Sequence, residues 1–487
     1  MARRAWVREL AACVSLSNIC FYKTWAAILE WKQVTPAAFL IAIANVLMLG
    51  LLMWGGLRLL RRSGGWISRV VGMAVAAVLA LVMANGITSV HFATKTGLGY
   101  ACGALAAAVM AALSISSRCR RIFFHALLVL APFTAVTFGQ ALWRASTYDP
   151  SAWKPHVAGR LPGGGAGRVV WLLFDEWDYG LTFAERCAGL RLPELDRLRS
   201  EAFTAANAVP PGTTTSTSVP VLLTGVHGAG VDTLRSASTV FSRARQAGAD
   251  TAIAGWFLDY CGSMGRALSD CVVFNMNTDR NSMGRAPGEI AANQLRNLIE
   301  TQFRSPLGQT LAAARHAEDY RFILQAAGRA TADRGLGLVF VHWPVPHEPF
   351  FYDSSRGAFD LSEGPVASMV KKDFTRYNDA LELLDVTLGK LRRGMEEAGV
   401  WEETAVLVTS DHPYRNRRRV DGRPIDRRVP FLLKLPGQHS GFSYTPEFNT
   451  AVSHDVVLEL LAGRLRTAAD TCHWLDARRD ASRAPAR

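Results

Sequence analysis

The sequence predicts a chain of the α/β class in two parts: an N-terminal bundle of about five transmembrane helices, then an exterior α/β sandwich built on a central, mostly parallel sheet. Two observations carry this. Apolar residues gather before residue 145 in runs long enough to cross a bilayer, and after residue 168 short branched runs alternate with helical stretches. At 487 residues the chain has room for two or three folded units.

Four long apolar runs come first: Pro36–Leu57, Ile67–Phe92, Gly99–Ile115 and Ile122–Trp143. Most reach the roughly 20 residues that a spanning helix needs. Trp6–Trp25 is counted as a fifth span because it makes the charge pattern consistent. Arg3 and Arg4, then Arg58, Arg61, Arg62 and Arg69, then Arg118, Arg120 and Arg121 would all share one face, which the positive-inside rule makes cytoplasmic. Everything after Trp143 is then expected outside the cytoplasm, at a bacterial inner membrane with the exterior domain on the periplasmic side. A cleaved signal peptide does not account for the further runs, and the near absence of mid-span ionisable residues argues against a transporter. Glycine-rich punctuation at Pro162–Gly167 marks a juxtamembrane linker. These readings divide the chain into an anchor at 1–145, a linker at 146–168, a catalytic domain at 169–475 and a disordered basic tail at 476–487.

In the exterior part, Val169–Phe174, Thr251–Phe257, Leu338–Trp343, Ala405–Thr409 and Val429–Leu435 are short, continuous and rich in branched residues, as suits strands buried on both faces. Leu192–Ala202, Gly288–Ala327 and Phe374–Gly399 read as helices between them. Ligands of such sheets gather beyond the C-terminal ends of the strands. Three strand ends carry acids and imidazoles: Asp175-Glu176-Trp177-Asp178, Ser410-Asp411-His412, and His342 through His347-Glu348. Carboxylate and imidazole with a hydroxyl oxygen form a ligand set for zinc or manganese. The hydroxyl comes from Pro210–Gly225, where Thr213, Thr214 and Thr215 follow a proline-glycine turn and precede an apolar helix. The free N–H groups of a first helical turn favour an anion there, and a bound metal is the most direct way to activate a hydroxyl.

The run TRYNDALELLDVTLGKLRRGMEEAGVWEETAVLVTSDH, with RVPFLLKLPG and LPELDRLRSEA, resembles the sulfatase-like branch of the alkaline phosphatase superfamily over Val169 to about Gly437. The resemblance implies a threonine nucleophile nine positions before Thr224 of a Leu-Thr-Gly signature, which is Thr215, with Thr214 and Thr213 as alternatives if the turn is shifted. It further implies Asp175, Asp411 and His412 as metal ligands, Glu176 as a further or substitute acid, and His342 and His347 beside the transferred group.

Departures from the family pattern narrow the chemistry. Oxidised-residue sulfatases carry Cys or Ser followed by x-Pro-x-Arg, whereas Thr215 is followed by Ser-Thr-Ser-Val, and threonine cannot give a formylglycine. The histidine common before the last strand is absent, which points to one divalent ion rather than two. In its place lies an arginine-rich stretch, in which Arg415 and Arg417 are read as binding an anionic substrate. A multi-span anchor ahead of such a domain is similar in architecture to phosphoethanolamine transferases and lipoteichoic acid synthases. The implied reaction moves a phospho-headgroup from a membrane phospholipid to an envelope glycan or lipid acceptor. The alternatives are a membrane-tethered phosphate- or sulfate-ester hydrolase and an inactive scaffold. The formal charge of +13 falls at membrane edges, in that stretch and in the tail, without any nucleic-acid motif. Of the 8 cysteines, Cys261 and Cys271 are spaced for a disulfide, while Cys187 and Cys472 either pair or stay free.

Overall fold

The computed structural model describes residues 2–30, 34–63, 117–148, 157–161, 167–274, 286–302, 306–361 and 373–483. It divides into two compact units, Met1–Ala152 with Asn277–Leu311, and Trp153–Met276 with Ala312–Arg487. The first unit is therefore larger than the anchor expected at 1–145, because a segment expected in the catalytic domain joins it.

In the first unit the helices Ala2–Cys20, Tyr22–Glu30, Pro36–Ser63, Ser117–Ser146 and Pro287–Gln302 meet around Phe21, Trp25, Ile28, Phe39, Val46, Ala141 and Ile290. Among the described residues, two stretches are long and apolar enough to cross a membrane, Pro36–Leu59 and Arg121–Ser146. Leu52, Val129 and Phe133 on these helices are exposed, as apolar side chains that meet lipid would be. Trp6–Trp25 does not form a third. Its helix breaks at Phe21, and it carries Arg8, Glu9 and Lys23. The runs Ile67–Phe92 and Gly99–Ile115 lie outside the described residues. Two buried amides of this unit are paired: the Asn45 amide donates to Gln294 Oε1 at 3.0 Å, and Gln294 donates in turn to the Ala38 carbonyl at 2.9 Å.

The second unit is a three-layer sandwich. Its sheet has eight strands in the order β11-β2-β10-β9-β1-β6-β4-β5. These are β1 Arg168–Asp175, β2 Phe203–Ala205, β4 Thr251–Trp256, β5 Asp270–Phe274, β6 Leu338–Pro346, β9 Thr404–Ser410, β10 Phe431–Lys434 and β11 Phe442–Tyr444. Only β10 runs against its neighbours. Two small pairs, β3 Ala208–Val209 with β12 Phe448–Asn449 and β7 Tyr352–Asp353 with β8 Ala358–Phe359, lie apart. All eight residues of β1 are buried, and they alternate between two cores. Val170, Leu172 and Phe174 face helices Pro193–Glu201, Pro306–Ala332 and Thr375–Glu397; Val169, Trp171 and Leu173 face Thr215–Thr224, Val240–Gln246 and Ser453–Leu461. A strand covered on both sides needs no polar face, so its sequence is a continuous apolar run.

The expected strands are all present, with β2, β5 and β11 in addition. The single helix expected over Gly288–Ala327 is instead Pro287–Gln302 and Pro306–Ala332. The tail expected to be disordered from residue 476 continues helix Ala468–Arg483, where Asp476 accepts the Tyr444 hydroxyl at 2.7 Å. That docking escapes composition, which registers only the arginines. A disulfide joins Cys261 to Cys271, and Cys187 and Cys472 are both free thiols.

Candidate active site

Strand register brings the three polar ends together. Leu173 of β1 lies opposite His342 of β6 and Thr409 of β9, and Phe174 lies opposite Trp343 and Ser410, so the chain leaves β1 and β9 side by side. Glu176 then turns with φ of 63°, a left-handed conformation uncommon outside glycine. Its backbone is fixed from both sides: its N–H donates to Asp411 Oδ1 at 3.3 Å and its carbonyl accepts the Tyr377 hydroxyl at 2.7 Å. Ser410 Oγ accepts the Trp177 N–H at 3.0 Å and donates to the His412 carbonyl at 2.9 Å, tying the two strand ends together.

Thr215 enters from the neighbouring layer as the first residue of helix Thr215–Thr224, after Thr214 in extended conformation. Thr217 Oγ1 accepts the Thr214 N–H at 3.2 Å, and Gly225 at φ of 69° ends the helix. Thr213 and Thr214 are exposed, whereas Thr215 is 6% exposed and donates its hydroxyl to Asp175 Oδ2 at 3.4 Å. Of the three threonines, Thr215 alone thus makes a hydrogen bond to the acidic strand ends.

Asp175, Asp411 and His412 are buried and each offers a ligand atom within 4.8 Å of the others. His412 Nδ1 is 3.0 Å from the Pro413 carbonyl, which can only accept, so Nδ1 carries the proton and Nε2 presents a lone pair. That Nε2 lies 3.5 Å from Asp175 Oδ1 and 3.6 Å from Asp411 Oδ2. Both of these carboxylate oxygens are buried without a hydrogen-bond partner. Burial pushes the Asp175 carboxyl well above the usual carboxylate range, reinforced by the charges of Asp411 and Glu176. Asp411 is held low despite its burial, by His412, His342 and the hydrogen bonds it accepts. Two buried acids with orphaned oxygens and an imidazole lone pair fit a divalent cation.

The other expected residues divide. Glu176 is buried next to the cluster, but its carboxylate is hydrogen-bonded by Arg415, whose Nη2 also reaches to 3.4 Å from His412 Nε2. His342 is buried with Nε2 4.0 Å from Asp175 Oδ2, and its Nδ1 is 2.8 Å from the Tyr260 hydroxyl. Burial lowers its pKa to about 4, so the ring is neutral near pH 7. His347 is half-buried, its Nδ1 against the Glu348 carbonyl and its ring edge-on to Trp256 at 5.3 Å. Arg417 lies elsewhere. At 2% exposure it pairs with Asp178 at 3.4 Å and with Glu185 at 2.5 Å, so the structure gives it to the support of the turn after β1 rather than to a binding surface. Sequence reasoning gave no role to Tyr260, Tyr377 or Ser410. The last adjoins the Asp-His pair, but the two tyrosines arrive from distant segments that no local signal connects to the strand ends.

Solved structures that resemble the chain do so distantly. The phosphonate monoester hydrolase of Agrobacterium radiobacter is 14% identical, with 61% of this chain and 77% of that one covered at a TM-score of 0.40. The phosphonate monoester hydrolase SpPMH from Silicibacter pomeroyi is 12% identical, with 61% and 73% covered and a TM-score of 0.44. A protein in the alkaline phosphatase superfamily from Vibrio parahaemolyticus is 15% identical, with 65% and 71% covered and a TM-score of 0.42. No curated protein matches the chain. The sulfatase family model matches residues 169–461, more than half of the chain and nearly the whole of the unit that carries Asp175, Thr215, Asp411 and His412, and the chain belongs to that family.

Proposed function

We propose that this member of the sulfatase family is a membrane-anchored transferase that moves a phospho-headgroup, such as phosphoethanolamine or phosphoglycerol, from a phospholipid to a cell-envelope acceptor through a covalent intermediate on Thr215. The observation that carries the reading is the placement of Thr215: a buried threonine at a helix N-terminus, its hydroxyl on Asp175 beside Asp411 and His412. A threonine there cannot become a formylglycine, so the hydroxyl itself must be the nucleophile.

In the first step Thr215 Oγ1 attacks phosphorus, the Oγ–P bond forms, and the P–O bond to diacylglycerol breaks. The hydroxyl proton, held towards Asp175 Oδ2, leaves with the diacylglycerol oxygen. In the second step an acceptor hydroxyl attacks phosphorus, the Thr215 Oγ–P bond breaks, and the acceptor's proton is passed to Thr215. Asp175, Asp411 and His412 would hold a zinc or manganese ion, which would supply Lewis acidity to lower the pKa of the threonine hydroxyl and offset phosphoryl charge. The free N–H groups of the first turn of helix Thr215–Thr224 favour the same charge. Arg415, 44% exposed on its side chain, would exchange Glu176 for a substrate oxygen.

The apolar stretches Pro36–Leu59 and Arg121–Ser146 support the anchor, and the Cys261–Cys271 disulfide supports an oxidising compartment for the domain, consistent with the periplasmic side of a bacterial inner membrane. Purified full-length protein with zinc or manganese should release diacylglycerol from phosphatidylethanolamine or phosphatidylglycerol vesicles, and Thr215→Ala should reduce the release at least about a thousandfold. Release of the headgroup to water alone, whatever acceptor is offered, would replace the transferase by a hydrolase. Equal release by Thr215→Ala would refute the nucleophile.

A further inference from the structure

A single carboxylate holds both chain neighbours of Arg415. The Tyr414 hydroxyl donates to Glu348 Oε1 at 2.7 Å, and Asn416 Nδ2 donates to Glu348 Oε2 at 3.2 Å. Glu348 follows the end of β6, while Tyr414 and Asn416 follow the end of β9, so this grip joins two of the strand ends that build the site. A carboxylate has an oxygen for each donor, and here the two donors stand on either side of one residue.

The residues around Arg415 are anchored in other ways as well. The Tyr414 ring is fully buried and stacks on Tyr377 with ring centroids 4.4 Å apart. Tyr377 in turn donates to the Glu176 carbonyl at 2.7 Å and accepts the Asp178 N–H at 2.9 Å. Arg417 is buried against Asp178 and Glu185. Arg415 differs from all of these: its side chain is 44% exposed, is hydrogen-bonded to Glu176 and reaches to 3.4 Å from His412 Nε2. An arginine on a free loop loses backbone and side-chain freedom when it grips a ligand, and a loop already tied down on both sides of it has met most of that cost in folding. Packing alone does not call for an acid at Glu348, which is half-buried, because taking a carboxylate out of water costs free energy that an apolar side chain would not.

We infer that Glu348 is a positioning residue for Arg415: by holding Tyr414 and Asn416 it fixes the backbone between them, so that the Arg415 guanidinium stays beside the acidic cluster and takes a phosphate oxygen of the headgroup. Glu348 itself does not touch the substrate. Its effect on binding passes through Arg415, and without the guanidinium it has none. The inference rests on the reading of Arg415 as the arginine that meets the phosphate, and its test does not need turnover.

Full-length protein in nanodiscs with manganese is titrated calorimetrically with glycerol 3-phosphate, as wild type, Arg415→Ala, Glu348→Leu and the double variant. Arg415→Ala should weaken binding about thirtyfold and Glu348→Leu about tenfold. Glu348→Leu added to Arg415→Ala should change the affinity by no more than about twofold, which a general weakening of the site would not give. Glu348→Gln keeps an acceptor oxygen and should recover most of the loss. Tyr414→Phe keeps the ring on Tyr377 and removes only the donor, so it should weaken binding about threefold and decides the matter if Glu348→Leu does not fold. Losses that multiply in the double variant would overturn the inference, as would unaltered binding by Glu348→Leu and Tyr414→Phe beside an impaired Arg415→Ala. Wild type that binds no glycerol 3-phosphate, or Arg415→Ala that binds it as wild type does, would remove Arg415 as the phosphate arm and the inference with it. Should wild type form no Thr215 adduct, the transferase reading alone fails, because the titration involves no transfer.

Discussion

Replacing Asp411 by asparagine separates what the acidic cluster costs the fold from what it does for a cation. In the metal-free protein Asp175 and Asp411 are buried with facing oxygens among ligand atoms that all lie within 4.8 Å of one another. Two unit charges at that separation repel by about 3 kcal/mol at an effective dielectric of about 20. Burial with the neighbouring charges already pushes Asp175 upward, so part of that repulsion is relieved by taking up a proton. The introduced amide would keep an acceptor oxygen for the Glu176 and His412 N–H groups, at 3.3 Å and 2.9 Å in the native protein, and would lose only the charge. In a chelator at pH 7.5, Asp411→Asn loses this repulsion together with the interactions with His412 and His342 that hold the carboxyl low, so its stability should stay within about 3 kcal/mol of wild type. Zinc or manganese at about a hundred times its dissociation constant should stabilise wild type by about 2.7 kcal/mol and leave the variant unmoved. Thermal unfolding of the detergent-solubilised full chain, with and without metal, measures both effects. A variant that gains as much from metal as wild type would refute the assignment of Asp411 as a ligand.

Two further predictions concern the rest of the fold. Asp385 is buried and caps helix Pro193–Glu201 by accepting the Leu195 N–H at 2.8 Å, and burial pushes its pKa from 3.8 up to about 6. Its raised folded value means that folding favours the neutral acid, a contribution present below about pH 4 and lost as pH rises through about 6. Asp385→Asn, which accepts the same bond and cannot ionise, should gain on wild type by up to about 3 kcal/mol between about pH 4 and 7, and parallel stability curves would contradict this. In the other unit, Asn45→Leu should destabilise by about 1–2 kcal/mol, because Gln294 loses its buried amide partner, and Gln294→Leu in the same chain should recover part of the loss. A double-mutant cycle on unfolding reads that coupling, and strictly additive losses would remove the Asn45–Gln294 link.

The legible parts of the sequence were those where local chemistry and long-range structure agree. Val169–Phe174 and Ala405–Thr409 are apolar because both faces of their strands are covered, and the acids that follow them stand out for the same reason. Strand ends alone pointed to acids and imidazoles at one edge of the sheet, and choosing Asp175, Asp411 and His412 among them needed the family resemblance. Selecting Thr215 from three threonines needed the family's spacing, and its burial among exposed neighbours matches that choice. What stayed hidden depends on contacts between distant segments. Arg417 reads as one more arginine in a basic stretch, yet Asp178 and Glu185 bury it. Residues Asn277–Leu311 lie between strands of the sheet in sequence, but their helix packs with Phe39 and Val46. Tyr260 carries no motif; its hydroxyl meets the ring of His342, 82 residues away.

Intact-mass and tandem mass spectrometry of the full-length protein, quenched after brief incubation with phospholipid vesicles and zinc or manganese without acceptor, tests the central claim most directly. The account predicts one added phospho-headgroup, located on Thr215, that disappears when acceptor is supplied and never forms on Thr215→Ala. An unmodified Thr215 in protein that is consuming phospholipid, or an adduct on another residue, would contradict it.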